Sequence, residues 1–194
     1  MLKSDVIEFF DQQATIWDQN MIKNDDIINE ILDNAGVIEG KDILDVACGT
    51  GVLIPEYLER GVKSVIAVDI SPKMTEIAKT KFSQDNVNII CADIENVYWE
   101  NKFDCIMIYN AFPHFQNADS LIKHLAGMLK EEGCLTVAHG MSRKEIDKHH
   151  KGRASKVSVG LMHENKLADI FGGYLDVICK VSNEKMYQVV GRKR

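Results

Sequence analysis

Three aspartates, Asp45, Asp69 and Asp93, each follow or end a short apolar run, and they are the side chains best placed to bind a polar ligand. A loop that contains Gly49 and Gly51 separates the first aspartate from the second. An apolar run that leads into a glycine-rich turn and then a helical pattern is typical of a buried strand, a tight loop and a helix N-terminus. Backbone amides at such a helix start point toward a ligand. The pattern predicts a nucleotide-type site.

The loop lacks one feature of dinucleotide-binding folds. The fingerprint G-x-G-x-x-G requires a third glycine, but Ile54 follows Gly49 and Gly51 at that position. Asp45 would also repel a pyrophosphate, whereas it would attract a ligand with an ammonium group. S-adenosylmethionine carries an ammonium group and no phosphate, so it fits better than a nicotinamide dinucleotide. A nicotinamide-dependent reductase is the less favoured alternative.

The segment Asp-Val-Ala-Cys-Gly-Thr-Gly, residues 45–51, resembles motif I of the class I S-adenosylmethionine-dependent methyltransferases. The small-molecule and quinone-type members, which this segment resembles most in pattern, often have alanine at the position of Ala47. The resemblance covers residues 9–138 with specific motifs. It implies an α/β fold, with a doubly wound, mostly parallel seven-stranded sheet and a C-terminal antiparallel hairpin. The alternation of predicted strands and helices favours the same sheet.

The resemblance also assigns roles at the site, with S-adenosylmethionine as the cofactor. Asp69 would accept hydrogen bonds from the ribose hydroxyls, Asp93 would accept one from the adenine amino group, and Ile94 would lie against the ring. A leading segment of the form Phe-Asp-x-x-Ala-x-x-Trp-Asp, here residues 10–18, would fold over the cofactor, although Trp17 could equally be a core residue. The implied cofactor-binding residues are Trp17, Asp45, Ala47, Gly49, Gly51, Asp69, Ile70, Asp93, Ile94 and Asn110.

The segment Asn110-Ala-Phe-Pro-His-Phe115 follows the fourth predicted strand and should face the methyl group to be transferred. It departs from the Asn/Asp-Pro-Pro-aromatic signature of many amino-group methyltransferases. It resembles the Ala-x-x-His segment of enzymes that act on small molecules. We therefore expect a small-molecule methyl acceptor.

Four histidines are candidate catalytic residues. An acceptor such as a hydroxyl must lose a proton, and a histidine titrates near working pH. The candidates are His114, His139, His149 and His150. Each could instead be structural, or several could bind a metal-containing or metalloid substrate; no resident metal is expected. His124 is predicted to be an ordinary surface residue and His163 a helix-start residue.

The predicted strands after the first cover 64–69, 87–91, 103–109 and 134–138, with a hairpin of 174–181 and 185–192. Helices are predicted over 5–19, with a polar break, and over 27–35, 52–60, 73–82, 117–130 and 163–171. A tight turn is expected at 131–133. Ser142 and Glu145 have the spacing of a helix capping box.

Length and composition predict a single domain, residues 1–194, because 45% of the residues are hydrophobic. Residues 1–36 would form an N-terminal helical cap, and residues 139–172 a helical and loop insertion on the substrate side. A net charge of -6 argues against a nucleic-acid partner, and no apolar run is long enough to suggest a membrane partner. Five scattered cysteines suit core packing better than disulfides. We expect a cytoplasmic monomer or homodimer, and a non-catalytic S-adenosylmethionine sensor is the alternative function.

Overall fold

The computed structural model of the chain describes residues 1–150 and 156–194, without the side chains of residues 149 and 150. These residues form helices α1 (Lys3–Asn20), α2 (Asp25–Asn34), α3 (Ile54–Glu59), α4 (Pro72–Lys81), α5 (Ala118–Met128), α6 (Arg143–His150) and α7 (Glu164–Gly172). The strands are β1 (Asp42–Val46), β2 (Ser64–Asp69), β3 (Val87–Cys91), β4 (Phe103–Tyr109), β5 (Leu129–His139), β6 (Asp176–Ser182) and β7 (Tyr187–Arg192).

The seven strands form one sheet in the order β3-β2-β1-β4-β5-β7-β6. Strands β1 to β5 pair in parallel, and β7 is antiparallel to both β5 and β6. The predicted mostly parallel sheet with a C-terminal antiparallel hairpin is confirmed. Because β1 has β2 on one side and β4 on the other, the strand order reverses at β1, which is where doubly wound sheets bind ligands.

Both faces of the sheet are covered, as parallel strands require. Along β1, Leu44 and Val46 belong to one core, which includes Phe171 of α7. Ile43 belongs to the other core, which includes Ile31 of α2 and Tyr57 of α3. Burial on both faces explains why the central strands are continuous apolar runs. Their carboxyl ends consequently meet at one edge of a rigid platform.

Helices α1 and α3 differ from the predictions for physical reasons. Helix α1 continues through the polar Asp-Gln-Gln segment at 11–13, because a helix tolerates polar residues on its solvent side. Helix α3 begins at Ile54 rather than Val52, because the glycine loop still turns at that point. Ser142 caps the start of α6: its Oγ accepts a hydrogen bond from the Glu145 amide at 3.3 Å and donates one to the Glu145 carboxylate at 3.1 Å.

The predicted turn at residues 131–133 is wrong. Strand β5 begins at Leu129, which pairs with Phe103, and it runs through this segment. The register against β4 shifts between Phe103 and Cys105, and Glu132 has a φ of 61°. The extra residues therefore form an irregularity within a strand. Helix α5 ends two residues before the predicted end, at Met128.

The five cysteines differ in burial. Cys48 and Cys105 are buried, whereas Cys91 is exposed on the edge strand β3, and all five thiols are free. Among the residues described here, no cluster of three potential ligands could hold a metal ion. No helix in the same part of the chain combines the length and apolarity needed to span a membrane.

Candidate active site

A cavity lies at the carboxyl edge of the sheet, where the strand order reverses. Its floor is the loop after β1, and its sides come from the ends of β2, β3 and β4. Helix α1 forms the opposite wall. The predicted site residues on its lining are Trp17, Ala47, Gly49, Asp69, Ile70, Asp93, Ile94, Asn110 and His114.

The loop after β1 has a backbone shape that few residues can adopt. Ala47, Gly49 and Gly51 have φ values of 56°, 56° and 86°. Gly49 lies on the cavity wall, but Gly51 does not. A Cβ on Gly51 would lie 2.6 Å from the ring of Phe82, the residue that follows α4, so a larger residue would force this ring to move. Gly51 is thus a packing position, and a contact between Gly51 and a cofactor stays a prediction.

The Asp69 carboxylate is held by the loop on one side and by α4 on the other. It accepts hydrogen bonds at 2.8 Å from the Gly49 amide and at 2.8 Å from the Ser71 amide. Burial raises the pKa of Asp69, while these two amides act in the opposite direction. A carboxylate has about four acceptor positions. Two protein donors leave capacity for further donors from a ligand.

The Asp93 carboxylate forms the far end of the cavity. It accepts hydrogen bonds from the Glu95 amide at 3.1 Å and from the Asn96 side chain at 2.8 Å. The ammonium group of Lys3, from α1, contacts the carboxylates of both Asp93 and Glu95. Ile94, beside these polar groups, is buried and also faces the cavity. This end therefore combines a fixed acceptor with an apolar surface.

Asp45 lies beneath the loop rather than on the cavity wall. It is 2% exposed, and its Oδ2 atom has no hydrogen-bond partner among the described residues. Burial, together with the negative charge of Asp69, raises the pKa of Asp45 to about 8. The sequence interpretation placed this carboxylate facing a cofactor; its direct contact with a ligand remains a prediction.

On the acceptor side, Asn110 and His114 lie in the segment that follows β4. Asn110 has a φ of 55°, and its Oδ1 atom accepts a hydrogen bond from the Gly140 amide at 3.0 Å. The His114 ring packs edge-on against Phe10 of α1, with 4.9 Å between ring centroids. Its Nδ1 atom lies 2.6 Å from the carbonyl oxygen of Val157. His114 thus joins α1 to the segment that follows residue 155.

A comparison with protein families identifies the central part of the chain. Residues 43–133, from β1 to the middle of β5, match the family described as a methyltransferase domain. Residues 43–133 of this chain are therefore similar to a methyltransferase domain. This region holds the glycine loop, Asp69, Asp93 and Asn110, and the resemblance to the class I methyltransferases is confirmed.

Two curated relatives are similar to parts of the chain. A malonyl-[acyl-carrier protein] O-methyltransferase from Acetivibrio thermocellus is 37% identical over 95 residues, which cover 48% of this chain and 34% of that protein. A ubiquinone biosynthesis O-methyltransferase from Coxiella burnetii is 29% identical over 141 residues, 69% of this chain and 60% of that protein. The chain therefore spans about a third of the length of the first relative.

Solved structures share the fold across the whole chain. A magnesium protoporphyrin IX methyltransferase from Synechocystis, with bound S-adenosylhomocysteine (SAH), superposes with a TM-score of 0.73. The two chains are 16% identical, and the superposition covers 99% of each. An S-adenosylmethionine-dependent methyltransferase from Aquifex aeolicus gives a TM-score of 0.70 at 19% identity, over 86% of this chain and 89% of that one. At these identities the likeness shows the fold alone.

Of the other candidate histidines, His139 has a described side chain, and it does not line the cavity. His139 is 3% exposed, and its ring packs against Tyr187 with 6.1 Å between centroids, away from the cavity lining. The side chains of His149 and His150 lie outside the described residues. Among the four candidates, His114 is the one that the described residues place on the cavity wall.

Two further histidines have structural roles. His124 Nε2 lies 3.0 Å from the Ile94 carbonyl oxygen and 2.8 Å from that of Val97, so this ring ties α5 to the segment after Asp93. The expectation of an ordinary surface residue is wrong, because sequence spacing does not reveal these distant carbonyls. His163 caps α7, as predicted, and its Nδ1 atom accepts a hydrogen bond from an α7 amide.

Several cavity residues were not identified from the sequence. They include Lys3, Val6, Met21, Met74 and Tyr109. Val6 has the same helical spacing as Phe10, and Tyr109 is the last residue of β4, so both carried a usable signal. No sequence pattern indicates Lys3 or Met74 as cavity residues, because only the folded chain brings α1 and α4 to this edge of the sheet.

Proposed function

We propose that the chain is an S-adenosylmethionine-dependent methyltransferase that acts on a small-molecule acceptor. One observation carries this proposal. The cavity joins the glycine loop after β1 with Asp69 at the end of β2 and Asp93 after β3. Three consecutive parallel strands thus present a loop and two carboxylates to one elongated ligand.

The residues present fit this cofactor. Asp69 retains acceptor capacity for two ribose hydroxyls after its two bonds to backbone amides. Asp93 and Ile94 provide an acceptor and an apolar surface for an adenine ring. The Oδ2 atom of Asp45 has no hydrogen-bond partner among the described residues, and the pKa of this carboxyl is raised. A ligand cation on the other side of the loop would favour the ionised carboxylate, so Asp45 fits such a ligand. S-adenosylmethionine, when bound, supplies the methyl group on a sulfonium.

The residues after β4 would orient the acceptor and take its proton. Methyl transfer by in-line displacement is largely a task of positioning. When Nδ1 of a neutral His114 donates to the Val157 carbonyl, the acceptor lone pair of the imidazole is on Nε2. We assign His114 as the base for an acceptor that must lose a proton. His139, His149 and His150 remain proposed candidates.

The names of the relatives support the acceptor class. Both curated relatives are named O-methyltransferases, and the Asn110–Phe115 segment resembles that of small-molecule enzymes. We further propose that residues 1–36 act as a cap and that residues 139–172 contribute to acceptor choice. We also propose that the protein is a cytoplasmic monomer or homodimer without a nucleic-acid or membrane partner.

The test is transfer of a labelled methyl group. Purified protein is incubated with methyl-labelled S-adenosylmethionine and an extract of its source cells, and small molecules are separated from macromolecules. We expect label in the small-molecule fraction. Label confined to the macromolecules would overturn the acceptor class, and no transfer despite tight SAH binding would favour the sensor.

A His114→Gln variant tests the role of the base. We expect this variant to lose at least about a hundredfold in transfer rate, which is the low end of the range for general-base catalysis. SAH affinity should stay unchanged, because His114 is assigned to the acceptor. A His163→Gln variant is the matched control, since His163 caps α7 outside the cavity.

A further inference from the structure

Helix α1 covers one side of the cavity although little of the helix is buried. Val6 and Ala14 are its buried residues. Val6, Phe10 and Trp17 lie on one helical face, and all three line the cavity. Because the buried apolar area is small, its contribution to holding α1 in place is also small. Polar contacts at the two ends and the middle of the helix supply the rest.

The first of these contacts is at the N-terminal end of α1. The ammonium group of Lys3 contacts the carboxylates of Asp93 and Glu95, at 2.6 Å for Glu95. Lys3, Asp93 and Glu95 all line the cavity. This contact therefore joins α1 to the segment after β3, at the end of the cavity assigned to adenine.

Two further contacts join the other flank of α1 to the loop and to α4. The Asp18 carboxylate accepts hydrogen bonds from the Thr50 hydroxyl and, at 2.9 Å, from the Lys81 ammonium. The Asp11 carboxylate accepts one from the hydroxyl of Ser71, the N-cap residue of α4. Asp11 and Asp18 are seven residues apart and share one side of α1. Helix α1 is thus attached on both sides of the cavity.

These contacts have the properties of a reversible attachment. The side chains of Lys3 and Asp18 are 48% and 44% exposed, so both ion pairs meet solvent. Exposed ion pairs are weak individually and are screened by salt. Two such pairs therefore contribute little free energy to holding α1 against the rest of the domain.

We propose that α1 is a latch over the cofactor cavity, and that Lys3 and Asp18 set the rate at which the cofactor leaves. The inference rests on the proposed function, because it takes the ligand of this cavity to be S-adenosylmethionine or its product. A ligand that extends from Asp69 to Asp93 lies beneath α1, between its two ionic attachments. Release requires α1 to lift, which breaks both ion pairs.

The experiment measures the dissociation rate constant of SAH by stopped-flow fluorescence. Trp17 lies on the cavity wall and serves as the reporter, and a Trp99→Phe background removes the second tryptophan of the chain. The variants are Lys3→Met, Asp18→Asn and the pair combined, each measured at low and high NaCl. Lys166→Met is the matched control, because Lys166 is exposed on α7 and does not line the cavity.

Each single variant should release SAH about two- to fivefold faster, the range that corresponds to one exposed ion pair. Lys3→Arg should keep the wild-type rate within about twofold, because arginine retains the charge. High salt should accelerate release from the wild type but have little effect on the combined variant. A purely structural role for these residues would not remove the salt dependence.

Two results would overturn the latch. One is an unchanged dissociation rate in both single variants, and the other is the same salt dependence in the combined variant as in the wild type. Failure of the wild-type protein to bind SAH at all is a different result, since it would overturn the proposed function on which the latch rests.

Discussion

At the scale of single residues, Asp69 combines a fixed position with spare acceptor capacity. Two backbone amides hold its carboxylate at the cavity. In an Asp69→Asn variant, the amide NH2 group would face one of these N–H donors, and the negative charge would be lost. Hydrogen bonds to a charged group contribute about 1.5–3 kcal/mol, so we expect SAH affinity to fall at least about tenfold by isothermal titration calorimetry.

An exposed aspartate provides the control for this change. Asp85 is exposed and lies outside the cavity lining. Asp85→Asn removes the same charge from the molecule and should leave SAH affinity unchanged. Equal losses in the two variants would show that net charge, rather than the contact with Asp69, controls binding.

Asp45 should change the stability of the fold with pH in the opposite direction to a carboxylate whose pKa is lowered. Its pKa is raised from 3.8 to about 8, because burial and the charge of Asp69 both disfavour ionisation. The folded state therefore loses stability as pH rises between about 4 and 8. An Asp45→Asn variant cannot ionise. At pH 8 and without ligand, we expect it to be about 1–3 kcal/mol more stable than the wild type by urea unfolding.

Near pH 4 this difference should become small, because Asp45 is then protonated in the folded state and about half protonated in the unfolded state, whose pKa is 3.8. A stability difference that does not change between pH 4 and 8 would contradict a buried carboxylate that ionises late. SAH binding to the same variant should weaken, since the negative charge proposed to attract the ligand's ammonium group is absent.

At the scale of elements, Gly51 controls how closely the loop and α4 approach. It has a φ of 86°, and an added Cβ would lie 2.6 Å from Phe82 and 2.9 Å from Ile54. Left-handed backbone costs about 1–2 kcal/mol for other residues, and overpacking adds about 1–3 kcal/mol. We expect Gly51→Ala to lower the free energy of unfolding by about 2–5 kcal/mol in urea titrations.

Gly36 separates the two causes of this loss. It has a φ of 72°, but no atom lies within 4 Å of an added Cβ. Gly36→Ala should therefore cost only the backbone contribution of about 1–2 kcal/mol. Equal costs for the two variants would mean that the contact with Phe82 is not limiting.

The elements that the sequence predicted best are those whose pattern is set by burial. The bounds of β2, β3 and β4 agree with the structure, because a strand inside a parallel sheet is an apolar run between polar ends. The start of β5 was missed because its first residues include Glu131 and Glu132, whose side chains are exposed beside the register shift. Local composition there resembles a turn.

The residues of the site also differ in how far the sequence could predict their positions. Asp69 and Asp93 could be predicted to lie near each other, because both follow neighbouring parallel strands whose carboxyl ends meet. The position of Asp45 beneath the loop could not be predicted, since it depends on how the backbone turns after β1. The contact between Lys3 and Asp93 joins residues 90 positions apart, and no local pattern encodes it.

At the scale of the whole molecule, the edge of the sheet opposite the cavity is held by charge. Lys130 Nζ donates to the carboxylates of Asp42 and Asp104, at 2.7 Å in each case. Ser64 Oγ donates to Asp42 at 2.7 Å, and the Asp42 amide donates to Asp104 at 2.8 Å. These residues belong to, or directly adjoin, β1, β2, β4 and β5. The network therefore joins the four central strands at their amino ends, away from the ligand.

This separation predicts that stability and cofactor binding can be changed independently. Burial alone would raise the pKa of Asp42, but hydrogen bonds from Lys130, Ser64 and Lys63 lower it to about 2. The stabilisation is therefore present above about pH 4, the unfolded value, and is lost as pH falls toward 2. In Asp42→Asn, we expect unfolding in urea at pH 6 to cost about 1–2 kcal/mol less than in the wild type.

That gap should close toward pH 2, because the wild-type carboxylate then becomes protonated as well. Calorimetric SAH affinity at pH 7 should be the same for Asp42→Asn and the wild type, since Asp42 lies at the far edge of the sheet. A weaker SAH affinity would mean that the amino ends of the strands influence the cavity through the sheet. A gap that stays constant from pH 6 to pH 2 would show that Asp42 stabilises the fold through packing and neutral hydrogen bonds rather than through its charge.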